Sequence, residues 1–189
     1  MPPHTIRPAT PTDIPSLYCL VQELAAYERL THEVRATEDS LRQAMFGDRV
    51  YLEAVIAEAA GETVGYASYF HNYSTFVGKP GLWIEDIFVR PALRGKGHGR
   101  ALFQSLANIA QQRGCGRLEW SALDWNEAAV GFYLEFGARK LDEWTMFRLD
   151  ETGIAKLAGG SQTGREALTS GLRKEPQSQD PINDRRDFC

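Results

Sequence analysis

A layered α/β fold, three layers deep, is what this sequence predicts, on three observations. Runs of β-prone residues alternate with amphipathic helical runs from Thr5 to Leu149. One run, residues 82–89 (LWIEDIFV), is apolar apart from two adjacent acids. Hydrophobic residues make up 43% of the 189 and aromatics 11%, enough to fill one core.

In chain order, residues 5–8 read as a short opening strand that Pro8 and Pro11 close. An amphipathic helix follows, with Thr12 or Asp13 as its cap and Ile14, Leu17, Leu20, Val21, Leu24 and Ala25 on one face. Thr37, with Glu38, Asp39 and Ser40 behind it, starts a second helix that Gly47 ends. Residues 50–57 and 63–70 flank the turn at Gly61 and form a hairpin. Residues 82–89 make the central strand. A glycine-rich turn leads to a helix burying Leu102, Phe103, Leu106, Ile109 and Ala110. Residues 117–123 read as a strand, 126–136 as a helix and 140–149 as a last strand. The domain is expected to span 1–150. Residues 151–189 are then a polar, largely disordered tail with a short helix at 165–172, since aromatics vanish there until Phe188.

Composition excludes several function classes. A net charge of -4 lacks the basic footprint of a nucleic-acid binder. Three cysteines without CxxC or Cys/His spacing argue against a disulfide framework and against a metal site. Cys19, Cys115 and Cys189 therefore read as reduced thiols of a cytoplasmic protein. The start lacks the charged and apolar regions of a signal peptide, and no run approaches the roughly 20 apolar residues of a membrane span.

The turn after the central strand carries Arg94, Gly95, Lys96, Gly97, His98, Gly99 and Arg100. Alternate glycines permit a tight turn with inward N–H groups, as at a pyrophosphate site on a helix N-terminus. Helix N-termini favour acids, yet this one is ringed by cations, a mismatch that a bound anion would reverse. The same residues also describe a solvated surface loop. The spacing matches neither a Walker A loop nor a dinucleotide fingerprint. It resembles the coenzyme A loop of the GNAT superfamily of N-acetyltransferases, Arg/Gln-x-x-Gly-x-Gly/Ala, and it follows an apolar strand and precedes a helix.

A second stretch supports the resemblance. Asn126 suits a helix cap, Tyr133 lies two turns on and near the same face, and Gly137 stops the helix. Within the GNAT pattern this segment lies beside the thioester. The resemblance implies that Asn126 binds the cofactor and Tyr133 protonates the departing thiolate. Read without it, Tyr133 is a core aromatic.

Further matches narrow the resemblance. Residues 6–10, 23–28 and 37–38, the 85–89 run, the 94–99 loop, residues 125–127 and Phe132–Tyr133 are similar to the spermidine/spermine (diamine) N-acetyltransferases and their thialysine-acetylating relatives. The similarity covers about residues 5 to 150. It implies a mixed, mostly antiparallel central sheet flanked by helices, with acetyl-CoA wedged where central strands splay. Ile87, Phe88, Val89, the residues 94–100 and Asn126 would hold the cofactor. Tyr27, Glu28, Glu85 and Asp142 would line the amine site. The resemblance also implies a homodimer. No metal, nucleic acid or membrane is expected, on the composition above.

The chemistry asks for a proton acceptor. An alkylamine with a pKa of about 10.4 must lose a proton before attack, which costs about 4.6 kcal/mol at pH 7. Glu85 is the candidate, directly or through water. Strict alternation along the strand would send Glu85 and Asp86 to opposite faces. Glu28 would meet the distal ammonium of a diamine, although alone it also reads as a solvated carboxylate at a helix end. Residues 71–80 are expected to loop near the amine site and set specificity. Lysine-like amines, amino alcohols, a protein N-terminus and a non-catalytic acyl-CoA sensor remain alternatives at this point.

Overall fold

The computed structural model describes residues 4–159. Five strands form one sheet in the order β1 (His4–Pro8), β2 (Glu53–Ala59), β3 (Glu62–Ser74), β4 (Lys79–Val89) and β5 (Arg117–Glu119). All neighbours are antiparallel except β4 and β5, which run parallel.

The two faces have different covers. Alternation on β2 sends Ala54 and Ile56 to one side and Val55 and Ala57 to the other. On the first face, α1 (Ile14–Glu28) and α2 (Glu38–Phe46) pack Ile14, Leu17, Leu20 and Met45 against Ala54, Ile56, Tyr66 and Phe88. On the second, α3 (His98–Gln112) packs Leu102, Phe103, Leu106 and Ala110 against Val55, Ala67, Tyr69, Leu82 and Ile84. The three expected layers are there.

Local chemistry sets the helix starts. Thr37 caps α2 by accepting from the Ser40 N–H at 3.1 Å, and Ser40 Oγ accepts from the Thr37 N–H at 2.8 Å. Asp13 occupies the cap position of α1 without capping it. Its carboxylate instead takes the Arg7 guanidinium at 2.7 and 2.8 Å and the Thr10 N–H and hydroxyl, both at 2.7 Å. Arg7 also reaches Glu58 at 2.6 Å, so one guanidinium ties β1 to β2 and to the turn before α1.

Three expectations fail. Residues 117–123 pair only as far as Glu119, because the last rung is Trp83 with Glu119. Just beyond that rung β4 carries a bulge, and a bulge bends and twists its strand away from a straight neighbour. Residues 140–149 form no strand, since no ladder includes them. Residues 71–80 are not a loop but the two ends of a long hairpin, with β3 running to Ser74 and β4 starting at Lys79. The last rung of the hairpin, Ser74 with Lys79, stands about 20 Å along β3 from Ser68, the partner of Asp86, at about 3.3 Å per residue.

One compact unit runs to Phe136 and a second starts at Gly137. The second contains α5 (Glu151–Gly159), where an irregular tail was expected. Asp150 starts that helix, its Oδ1 accepting the Gly153 N–H at 2.7 Å. The expected helix at 165–172 lies outside the described residues.

Candidate active site

The site begins at the bulge. Ser68 pairs with Asp86 and Tyr69 with Ile84, so Glu85 is the extra residue. Ile84 packs on the α3 face, and alternation then sends Glu85 to the α1 face. The bulge resets the alternation, and Asp86 also points to the α1 face, where the Tyr66 hydroxyl donates to its Oδ2 at 3.1 Å. The expectation that these two acids face opposite ways is therefore wrong. The extra residue puts them side by side.

Asp86 was not among the residues singled out from the sequence. Ser68 Oγ donates to the same Oδ2 at 3.0 Å and accepts the Asp86 N–H at 3.2 Å. Burial is the main force pushing the Asp86 carboxyl above its ordinary pKa, the two hydroxyls oppose it, and Glu85 adds to the rise. Glu85 itself is exposed.

Glu28 comes from the last residue of α1. Burial, then the charge of Asp86, raises its pKa. Its own charge in turn bears on Tyr66 and on Tyr133. Tyr133 is pushed up to about 12, chiefly by burial and then by Glu28. Tyr133 lies on α4 (Glu127–Glu135) among Trp120, Phe132 and Phe103, with ring centroids 4.9 to 5.7 Å away. Helix α1, strands β3 and β4 and helix α4 thus bring Glu28, Tyr66, Glu85, Asp86 and Tyr133 within electrostatic reach. Among the described residues, no Lys or Arg forms an ion pair with Glu28, Glu85 or Asp86.

A gap lies beside this cluster. With β5 ending at Glu119, the half of β4 from Ile84 to Val89, which includes Ile87 and Phe88, has β3 on one edge and, among the described residues, no strand on the other. The glycine-rich turn follows directly. Gly95 and Gly97 have φ of +74° and +89°, the left-handed region that glycine enters without strain. Gly97 is the N-cap of α3 and supplies no side-chain cap, and the first turn holds no acid, so that helix end presents unneutralised N–H groups.

The other candidates divide. Lys96 and Arg94 are exposed, whereas His98 is buried at 4%. The Arg94 guanidinium stacks on Tyr27 at 4.2 Å, and its Nε donates to the Val89 carbonyl at 3.0 Å, so a loop residue and an amine-site candidate meet. Tyr27 also packs on Trp125, with centroids 5.9 Å apart. Arg100 leans on α4, over Phe136 at 4.6 Å and 3.6 Å from Glu135. Asn126 caps α4, its Oδ1 accepting from the Ala129 N–H at 3.2 Å, which leaves its Nδ2 to donate elsewhere. Gly99 faces the ring of Phe132. Asp142 belongs to the second unit, in an exposed turn closed by the Trp144 N–H on the Leu141 carbonyl.

Comparisons with known proteins identify the family. The model of the acetyltransferase (GNAT) family matches residues 15–138. Thialysine N-epsilon-acetyltransferase of Mus musculus is 36% identical, covering 82% of this chain and 96% of that protein. L-ornithine N5-acetyltransferase of Arabidopsis thaliana is 33% identical, covering 81% and 86%. Spermidine/spermine N(1)-acetyltransferase-like protein 1 of Homo sapiens is 31% identical over 81% of this chain and 23% of its own length. Among solved structures, an integron cassette protein from the mobile metagenome of V. cholerae superposes with a TM-score of 0.70, at 27% identity over 82% of this chain and 98% of that one. The chain belongs to the acetyltransferase (GNAT) family and is an N-acetyltransferase.

Proposed function

We propose that the enzyme moves an acetyl group from acetyl-CoA directly to a primary amine of a small molecule with a second cationic group, a diamine or polyamine. The carrying observation is the set of three carboxylates, Glu28, Glu85 and Asp86, around one face with no Lys or Arg paired to them among the described residues. Such a face suits a dication.

GNAT enzymes use acetyl-CoA as donor. The residues present fit it. The α3 N-terminus with Gly95 and Gly97 suits a pyrophosphate, and Lys96, Arg94 and Arg100 are its nearest cations in sequence. The unpaired edge of β4 at Ile87, Phe88 and Val89 offers backbone groups to the amide-bearing arm, and Asn126 Nδ2 offers one more donor.

Each acid has a different task in this reading. Glu85, exposed on the bulge, exchanges protons with solvent and takes the one the amine must lose. Asp86 and Glu28 read the substrate's positive charge. Beyond Ser68 the same face continues to Phe70 and Trp83, half-buried with centroids 6.4 Å apart, an apolar floor for a methylene chain. When the C–S bond breaks, the thiolate takes its proton from Tyr133, which stays protonated because its pKa is about 12. The amine nitrogen forms the new C–N bond, and no acyl-enzyme is required.

A second reading has support of its own. Two relatives are named for thialysine and L-ornithine, which carry a carboxylate as well as amines. Arg94, stacked on Tyr27 with no acidic partner among the described residues, suits that carboxylate. A cytoplasmic homodimer is the assembly and location that the family resemblance supports.

Thiol release from acetyl-CoA, measured against spermidine, putrescine, thialysine, ornithine and a monoamine, tests both readings. Preference for the amines without a carboxylate favours the first, and preference for thialysine or ornithine the second. No turnover of any amine, with acetyl-CoA binding intact, would refute both.

A further inference from the structure

The bulge in β4 raises a local problem. An extra residue frees backbone groups from the ladder, and a buried N–H without a partner is costly. Here the Asp86 N–H is met by a side chain, Ser68 Oγ at 3.2 Å. The Ser68 hydroxyl has one proton, and it goes to Asp86 Oδ2 at 3.0 Å. Tyr66 adds a second donor to the same oxygen at 3.1 Å. Both residues are deeply buried, Tyr66 at 1% and Ser68 at 2% exposed. Neither contact removes the negative charge, as an Arg or Lys would. The hydroxyls hold one oxygen and leave the other, Oδ1, with the charge still on the carboxylate.

We propose that Ser68 and Tyr66 are positioning residues for the acceptor amine, fixing Asp86 through Oδ2 so that Oδ1 receives a substrate ammonium. This rests on the amine-site reading above and assigns the two residues that make it selective. A carboxylate pinned before the ligand arrives spends no binding energy on its own ordering. Tyr66 can serve as a permanent donor because burial first, and then the charge of Asp86, keep its pKa far above its usual value. Among the described residues, the charged and titratable groups that bear on Asp86 are Glu28 of α1, Tyr66 of β3, its neighbour Glu85 and, through Glu28, Tyr133 of α4, all acidic or neutral.

The test compares Ser68→Ala, Tyr66→Phe and Ser68→Thr with the parent enzyme. Each is assayed on a diamine and on a monoamine of matched chain length, with diamine binding also measured by calorimetry. Losing one hydrogen bond to a charged group is expected to raise the diamine KM and Kd about tenfold. The monoamine KM should move far less, kcat should hold for both, and Ser68→Thr should restore most of the loss. Removing a donor raises the Asp86 pKa, so the acid limb of kcat/KM for the diamine should move to higher pH. In an Asp86→Asn background, Ser68→Ala should add nothing. A merely structural role would lower the active fraction for both amines alike, leave the acid limb in place and persist in that background. Any of these outcomes overturns the proposal, and so does a parent enzyme that binds no diamine. A parent that binds the diamine but never acetylates it refutes the transferase reading alone, and the binding comparison still decides the roles of Ser68 and Tyr66.

Discussion

Replacing Tyr133 by phenylalanine separates chemistry from architecture. The ring packs against Trp120 at 4.9 Å and Phe103 at 5.7 Å, and Phe keeps those contacts. The change should therefore leave the melting temperature within about 2 °C, the scale of a surface substitution. The hydroxyl is another matter. Its pKa of about 12, against an ordinary 10, disfavours the phenolate by about 2.7 kcal/mol at 1.36 per pKa unit. At pH 7.5 roughly one molecule in 30,000 would carry the anion, so the proton is present for essentially every turnover. General acid catalysis is worth about 100- to 10,000-fold, or about 2.7 to 5.5 kcal/mol of barrier. The variant should lose kcat by that factor, with the Kd for acetyl-CoA unchanged by calorimetry. Because the titration lies near 12, Tyr133 should also place no basic limb in the rate profile below about pH 11. Full turnover in the Phe variant, or an unfolded variant, would sink the assignment.

Other perturbations follow from the same geometry. Asp86→Asn removes a carboxylate whose folded pKa is raised. In the parent, stability should therefore fall as pH rises through the ordinary carboxylate range, and the variant should lack that slope. It should melt about 3 °C higher at neutral pH while binding the diamine more weakly. Asp13→Asn should cost about 2 kcal/mol in urea unfolding, because Arg7 and Thr10 lose a charged partner. The Asp13 pKa is depressed far below its usual value, mainly by Arg7, so its contribution is complete above about pH 4 and drains away only on acidification below that. Gly97→Ala meets a φ of +89° and should cost about 1–2 kcal/mol. It should raise the KM for acetyl-CoA while leaving the amine KM alone. Glu28→Gln should weaken a diamine far more than a monoamine in steady-state assays, and equal effects would remove Glu28 from the amine site.

Much of the fold could be read in advance because it rests on local signals. Thr37 with Ser40, Asn126 before Glu127 and the glycines at 95 and 97 each act within four residues, and the structure uses them as the pattern implies. The amphipathic faces of α1 and α3 were likewise visible. The bulge was not. It depends on the register of β3 against β4, and no glycine or proline marks Glu85. That one residue decides which face two carboxylates share, so Asp86, Ser68 and Tyr66 stayed out of the expected site. The adjacent acids in an apolar strand were the available signal, and strict alternation misread it. The expected strand at 140–149 failed because β-propensity is a fit to a half-buried pleated surface, and these residues are all exposed. Asp13, an expected cap, was drawn away by Arg7, a partner six positions earlier that a cap rule does not weigh.

The parting of β4 and β5 has a consequence for how the enzyme fails. Only three rungs, from Gly81 with Arg117 to Trp83 with Glu119, stitch β5 to the sheet. Beyond them, α4 is held through the aromatic knot of Phe103, Trp120, Phe132 and Phe136. That knot and those rungs should open as a unit smaller than the sheet, at a free energy below the global one. Tyr133 travels with it. As denaturant or temperature rises, proton delivery should vanish while β1 to β4 are still folded, so the inactivation curve would precede the melting curve. Acetyl-CoA, if it binds in that gap as proposed, would draw the two curves together by binding only the closed form.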